Sequence, residues 1–132
     1  MKKKLLAMLL LLPLGGCAVA AVGAAAGATY VWVNGEIKTT LNAPLPRIVK
    51  ATHVALADLD LVGIEERTDK LKGKITGRMA DGTRVIIQVK AIDFNATETR
   101  IRVGKIGDKA VSEQILRHIR RQLARISHTL SS

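Results

Sequence analysis

The pattern of apolar and polar positions divides the chain into an uninterrupted apolar beginning and a periodic remainder. Leu5 to Ala28 carries no charge. From Tyr30 onward the apolar positions recur every second residue or at helical spacing, the signatures of half-buried strands and amphipathic helices. Tyr30 to Leu41, rich in Val, Thr and aromatic residues, predicts a strand with Asn34-Gly35 as a bend or bulge. Asn42 to Pro46 is a break. A helix from about Leu45 to Leu59 follows, because Leu45, Ile48, Val49, Thr52, Leu56 and Leu59 fall on one face. Pro44 or Pro46 suits its first turn.

Four more strands are expected. Leu61 to Thr68 is the first. Leu71 to Met79 alternates, with Leu71, Ile75 and Met79 facing one way and Lys72, Lys74 and Arg78 the other. Asp81-Gly82 predicts a hairpin turn. Val85, Ile87 and Val89 face the core from the next strand. Phe94 to Thr97 turns the chain, and Thr99, Ile101 and Val103 face inward from the last strand. A second helix is expected from about Lys109 to His128, with Val111, Ile115, Ile119, Leu123 and Ile126 as its apolar stripe. Asp108 suits its N-cap. Arg117, Arg120, Arg121 and Arg125 lie toward its C-terminal end, where positive charge complements the helix dipole.

The predicted order is β-α-β-β-β-β-α. Short hairpins imply an antiparallel meander, and strands with one apolar face need a cover that amphipathic helices can supply. The expected fold is α+β: an antiparallel sheet of about five strands with two amphipathic helices on one face.

The apolar beginning has a different meaning. Lys2, Lys3 and Lys4 precede an apolar run from Leu5 to Leu14 broken by Pro13, as in a secretory signal. Leu14-Gly15-Gly16-Cys17 resembles the lipobox of bacterial lipoproteins: an aliphatic residue, two small residues and a cysteine. The resemblance implies a diacylglyceryl group on Cys17, cleavage before it and often a further acyl chain on the new amine. Each buried CH2 contributes about 0.8 kcal/mol, and one chain holds a protein only marginally, so two or three make a durable anchor. The competing reading is a transmembrane helix, since Leu5 to Ala28 is long enough to span a bilayer. Pro13, the glycine pair and the placement of Cys17 favour processing. The chain has 1 cysteine, so it forms no internal disulfide. Ala18 follows where Asp would signal inner-membrane retention, which implies an outer-membrane location facing the periplasm. The expected organisation is a signal peptide over 1–16, a lipidated Cys17 with an Ala/Gly-rich membrane-proximal segment over 17–28, and one α+β domain over 29–132. That segment contains Gly23-x-x-x-Gly27, a spacing that permits close helix approach in membranes, and reads either as a spacer or as a self-association element.

Charge narrows the partners. The precursor carries a formal +10; loss of Lys2, Lys3 and Lys4 leaves +7 on an acylated mature chain. Such a balance favours lipid phosphates or acidic partners. Nucleic acid is not expected: an exported protein rarely meets it, and Tyr30, Trp32 and Phe94 are too few for the stacking platforms of single-strand binders.

Tyr30-Val-Trp-Val-Asn-Gly-Glu-Ile, the first helix and Arg100-Ile-Arg-Val-Gly-Lys-Ile-Gly-Asp108 together resemble a family of small bacterial lipoproteins classified as a domain of unknown function. The resemblance covers nearly all of the mature chain. It implies the fold and the location, and no activity.

Lys72, Lys74, Arg78, Arg84, Lys90, Arg100 and Arg102 fall on positions that can share the outer sheet face, either as solvated charge or as a surface for anionic headgroups or an acidic partner. Gly104-Lys105-Ile106-Gly107 precedes a helix, where glycines can expose backbone N–H groups to an anion. Asp108 would compete for the same groups. The anion-binding candidates are therefore Lys72, Lys74, Arg78, Arg100, Arg102, Gly104, Lys105 and Gly107. His53, His118 and His128 lack metal-ligand spacing, and no HExxH or cysteine pair is present. Ser112 has no nucleophile-elbow context. Glu65-Glu66 is expected to face solvent beside Lys70 and Lys72. Asn95-Ala-Thr97 spells a glycosylation site but reads as a bacterial turn. No cofactor is implied. The expected function is a non-catalytic interaction or scaffolding module with an envelope protein partner; the alternative is an anionic-ligand or anionic-lipid binder, and an enzyme is the remotest reading.

Overall fold

A computed structural model describes residues 30–131 of the chain, with side chains through Ile126. The signal peptide, Cys17 and the Ala/Gly-rich segment lie outside the described residues.

The strands are β1 (Val31–Val33), β2 (Glu36–Leu41), β3 (Val62–Thr68), β4 (Lys72–Arg78), β5 (Arg84–Asp93) and β6 (Ala96–Val103); the helices are α1 (Leu45–Asp58), between β2 and β3, and α2 (Lys109–Ser131), after β6. They form one 6-stranded antiparallel sheet in the order β1-β2-β6-β5-β4-β3. The α+β class and the helix positions follow the sequence pattern. The extra strand comes from Asn34-Gly35, which makes a hairpin where one bent strand was expected. Val33 pairs with Glu36 across these two residues, and both adopt positive φ, 52° and 79°. That is the two-residue turn whose twist matches flanking strands, and Asn-Gly tolerates it best.

The core lies between the sheet and the helices. Ile75, Ile87, Ile101 and Ile37 stand in register across β4, β5, β6 and β2, each 0% exposed. Helix α1 closes over them with Ile48, Ala51, Thr52, Ala55 and Leu56, and α2 with Ile115, Leu116 and Ile119. The buried Thr52 hydroxyl donates to the Ile48 carbonyl one turn back. Between the helices, the Gln122 side-chain amide donates to Asp58 at 2.9 Å. Helix α1 ends where Asp60 adopts a left-handed φ of 61° and the Leu61 N–H returns to the Leu56 carbonyl, which satisfies a carbonyl the helix leaves open.

Leu71 corrects the sequence reading. Alternation aimed it at the core, but it is 69% exposed. Strand β4 begins at Lys72, and Leu71 belongs to the turn before it. The later turn is also tighter than expected: Phe94 and Asn95 make it, while Ala96 and buried Thr97 already belong to β6. The Thr97 hydroxyl donates to the Ala43 carbonyl at 2.8 Å.

No helix among the described residues is long and apolar enough to cross a membrane.

Candidate functional site

Both helices occupy one face of the sheet, so the polar half of each strand's alternation fills the other. Register turns these positions into rows. Lys38, Arg100, Gln88, Lys74 and Arg67 form one row across β2, β6, β5, β4 and β3. The next row toward the β5–β6 turn is Thr40, Glu98, Lys90 and Lys72. On the other side lie Glu36, Arg102, Ile86, Thr76 and Glu65. The structure therefore puts Lys72, Lys74, Arg78, Arg84, Lys90, Arg100 and Arg102 on one open face. Lys38 and Arg67 join them.

A hollow of about 620 Å³ sits on this face. Its cations are Arg67, Lys72, Lys74, Lys90 and Arg100; its carboxylates are Asp69 and Glu98. Two pairs of cations stand directly opposite each other, Lys72 with Lys90 and Lys74 with Arg67. Opposed like charges destabilise a sheet, with cross-strand pairs acting on a scale of about 0.2–1 kcal/mol each. Glu98 stands opposite Lys90 and Asp69 lies near Lys72, but the other ties of both carboxylates leave this only partly relieved. Glu98 accepts from Arg100 at 3.0 Å and lies 3.9 Å from Lys38. Asp69 accepts from the Leu71 and Lys72 backbone N–H groups, which, with the nearby Lys72 charge, hold its carboxyl below the usual range. Among the described residues, Arg67, Lys72, Lys74 and Lys90 form no salt bridge.

The remaining candidates separate from this hollow. Arg78 and Arg84 face each other nearer the Asp81-Gly82 hairpin. Arg102 is held by structure: its guanidinium donates to the Asn34 carbonyl at 3.0 Å and the Lys105 carbonyl at 2.8 Å. This ties the β1–β2 turn to the turn before α2. The glycines of the second turn have a related role. Gly107 has φ 96°, and a β-carbon there would lie 2.1 Å from the Gly35 carbonyl oxygen. The two turns thus touch backbone to backbone. Asp108 accepts from the Val111 N–H at 3.1 Å, and its carbonyl accepts from the Ser112 N–H. Gly104 and Gly107 shape this junction, Lys105 is exposed beside it, and Asp108 caps the helix N–H groups that an anion would need. Arg117, Arg121 and Arg125 are exposed on α2, in the helix layer rather than on the open sheet face.

Sequence reasoning missed one cluster on the helix side. Glu65 and Glu66 are adjacent on a strand and point to opposite faces. Glu66 accepts from the Thr68 hydroxyl at 2.8 Å and meets Nε2 of His53 on α1. The Thr68 hydroxyl first, and His53 second, hold the Glu66 carboxyl below its ordinary 4.5. A carboxyl depressed in the fold adds stability above its unfolded pKa and loses it as pH falls through the folded value. Thr68→Val is expected to move the Glu66 midpoint upward in an NMR carboxyl titration, and so to make the stability lost on acidification smaller and complete at a higher pH; an unmoved midpoint would assign the depression elsewhere. His118 Nδ1 meets its own helix at the Gln114 carbonyl. No group of three metal-ligating side chains occurs among the described residues.

A family model described as "Protein of unknown function (DUF3568)" matches residues 2–122. No curated protein matches the chain.

Proposed function

Because the chain belongs to the DUF3568 family of proteins of unknown function, and membership brings no activity with it, we propose a role from its own surfaces. The protein is a lipid-anchored, non-catalytic interaction module of the cell envelope, held by Cys17 at the outer membrane and facing the periplasm. Its open sheet face receives the carboxylates or phosphates of an envelope partner. One observation carries this reading: four cations that form no salt bridge among the described residues, set in two like-charge pairs around one hollow. An incoming anion would relieve their mutual repulsion, and such steering accelerates encounter as well as stabilising the complex.

The anchor is supported by the Leu14-Gly15-Gly16-Cys17 motif and the apolar run before it. Acyl labelling with intact-mass measurement tests it; a Cys17→Ser precursor that still took up label would refute it.

The test of the hollow is crosslinking in native envelopes, read by mass spectrometry, together with binding of a poly-glutamate peptide to the full-length protein in detergent. Lys74→Glu with Lys90→Glu is expected to weaken peptide binding by about tenfold or more, equivalent to about 1.4 kcal/mol, and to remove the crosslinks. Added salt is expected to weaken the wild-type interaction as well. Unchanged binding by the double variant would end the proposal for this face.

A further inference from the structure

The open face ends in an apolar tip that the sequence pattern did not show. The Ala91 N–H donates to the Leu71 carbonyl at 2.7 Å, which brings the β3–β4 turn against the last residues of β5. Leu71, Ile92 and Phe94 are 69%, 56% and 90% exposed. All three lie at the same end of the sheet. The Lys72–Lys90 pair forms the row immediately behind them, and Lys70 adjoins Leu71. A large apolar side chain in water at a turn tip gains nothing from the fold. Beside Lys70, and with the Asp69 and Asp93 carboxylates tied to the backbone of the same two turns, it has the composition of a segment that enters the boundary between headgroups and acyl chains.

The path of the chain supports the same surface. Strand β1 pairs Val31 with Lys38 and Val33 with Glu36, so it runs away from the Phe94 end and toward the Asn34-Gly35 turn. Tyr30, the first described residue, is therefore at the end of β1 nearer the tip. Cys17 precedes Tyr30 by thirteen residues in the sequence, a span that reaches at most about 45 Å. We infer that Leu71, Ile92 and Phe94 insert into the surface of the membrane that anchors the chain, with Lys70 at its anionic headgroups. This contact orients the domain and leaves the hollow behind the tip accessible to a partner. The inference rests on the lipid-anchored reading proposed above.

The test uses the full-length acylated protein in phosphatidylglycerol–phosphatidylethanolamine vesicles containing brominated acyl chains. Trp32 is the sole tryptophan. Trp32→Phe combined with Phe94→Trp places the sole reporter at the tip. Trp32→Phe combined with Ile106→Trp places it at the opposite end, where Ile106 is 88% exposed. A side chain seated about 5–10 Å into the boundary region meets the brominated chains. The tip reporter is expected to be quenched at least about threefold more than the one at position 106, given such seating. If both proteins float with the vesicles and are quenched equally, or position 106 is quenched more, the tip inference fails while the anchor stands. If the acylated chain does not float with the vesicles, the anchored reading fails and the tip inference falls with it.

Discussion

Gly107→Ala is expected to lower stability by roughly 3–4 kcal/mol, the combined cost of overpacking and of a positive φ in an alanine. The new β-carbon would lie 2.1 Å from the Gly35 carbonyl oxygen and 2.6 Å from its α-carbon. Both obstacles are backbone, so no rotamer change relieves them. Either the β1–β2 turn moves or the turn before α2 does, and Arg102 hydrogen-bonds to both. For a domain of this size the midpoint of thermal unfolding should fall by about 15–25 °C. Gly82→Ala is the control. Gly82 has φ 89°, but a β-carbon there meets nothing within 4 Å, so it carries only the conformational cost of about 1 kcal/mol. Thermal unfolding followed by circular dichroism distinguishes the two, and equal losses would disprove the steric account.

Ile101→Ala is expected to cost about 2–5 kcal/mol, from lost transfer energy and the cavity left behind. Ile101 is fully buried, between Ile37 on one neighbouring strand and Ile87 on the other. The sheet's hydrogen bonds limit how far the backbone can collapse into the gap. Ile101→Val should cost only about 0.5–1.5 kcal/mol. Since Ile87 lines the same space, its substitution by alanine in the Ile101→Ala background should not add its full separate cost. Urea unfolding of the four proteins checks this; strict additivity would mean that the isoleucine row is not one packed unit. A loss of this size is a large fraction of the about 5–15 kcal/mol by which domains are stable.

Reading period two along β4 to β6 identified most of the basic face. Within a strand, side-chain parity is fixed by covalent geometry, so Lys72, Lys74 and Arg78 share a side whatever their surroundings. Arg67 escaped because parity does not carry across the turn at Asp69–Leu71. The register also shifts between Val62 and Glu65, and one residue of slip exchanges the two faces. The pairing of Lys74 with Arg67, and so the hollow, is a property of the assembled sheet. Leu71 and Phe94 show the converse. Leu71 continued the alternation of β4, and Phe94 was read simply as part of a turn. Their shared exposure depends on where the helices stop covering the sheet, which no local pattern encodes.

Sequence alone determined the local preferences: the lipobox-like motif ending at Cys17, the apolar stripes of both helices, the alternation of the strands, and Asn34-Gly35 as a point where the chain changes direction. These follow from periods and backbone preferences that act within a few residues. Tertiary structure decided what depends on distant residues meeting. Asn34-Gly35 closes a hairpin rather than bending a strand because β1 finds its partner in β2. Gly107 serves contact with Gly35, more than seventy residues earlier. The cations crowd because register aligns four strands side by side. A period fixes the direction of a side chain relative to its own backbone; only packing fixes what stands opposite it.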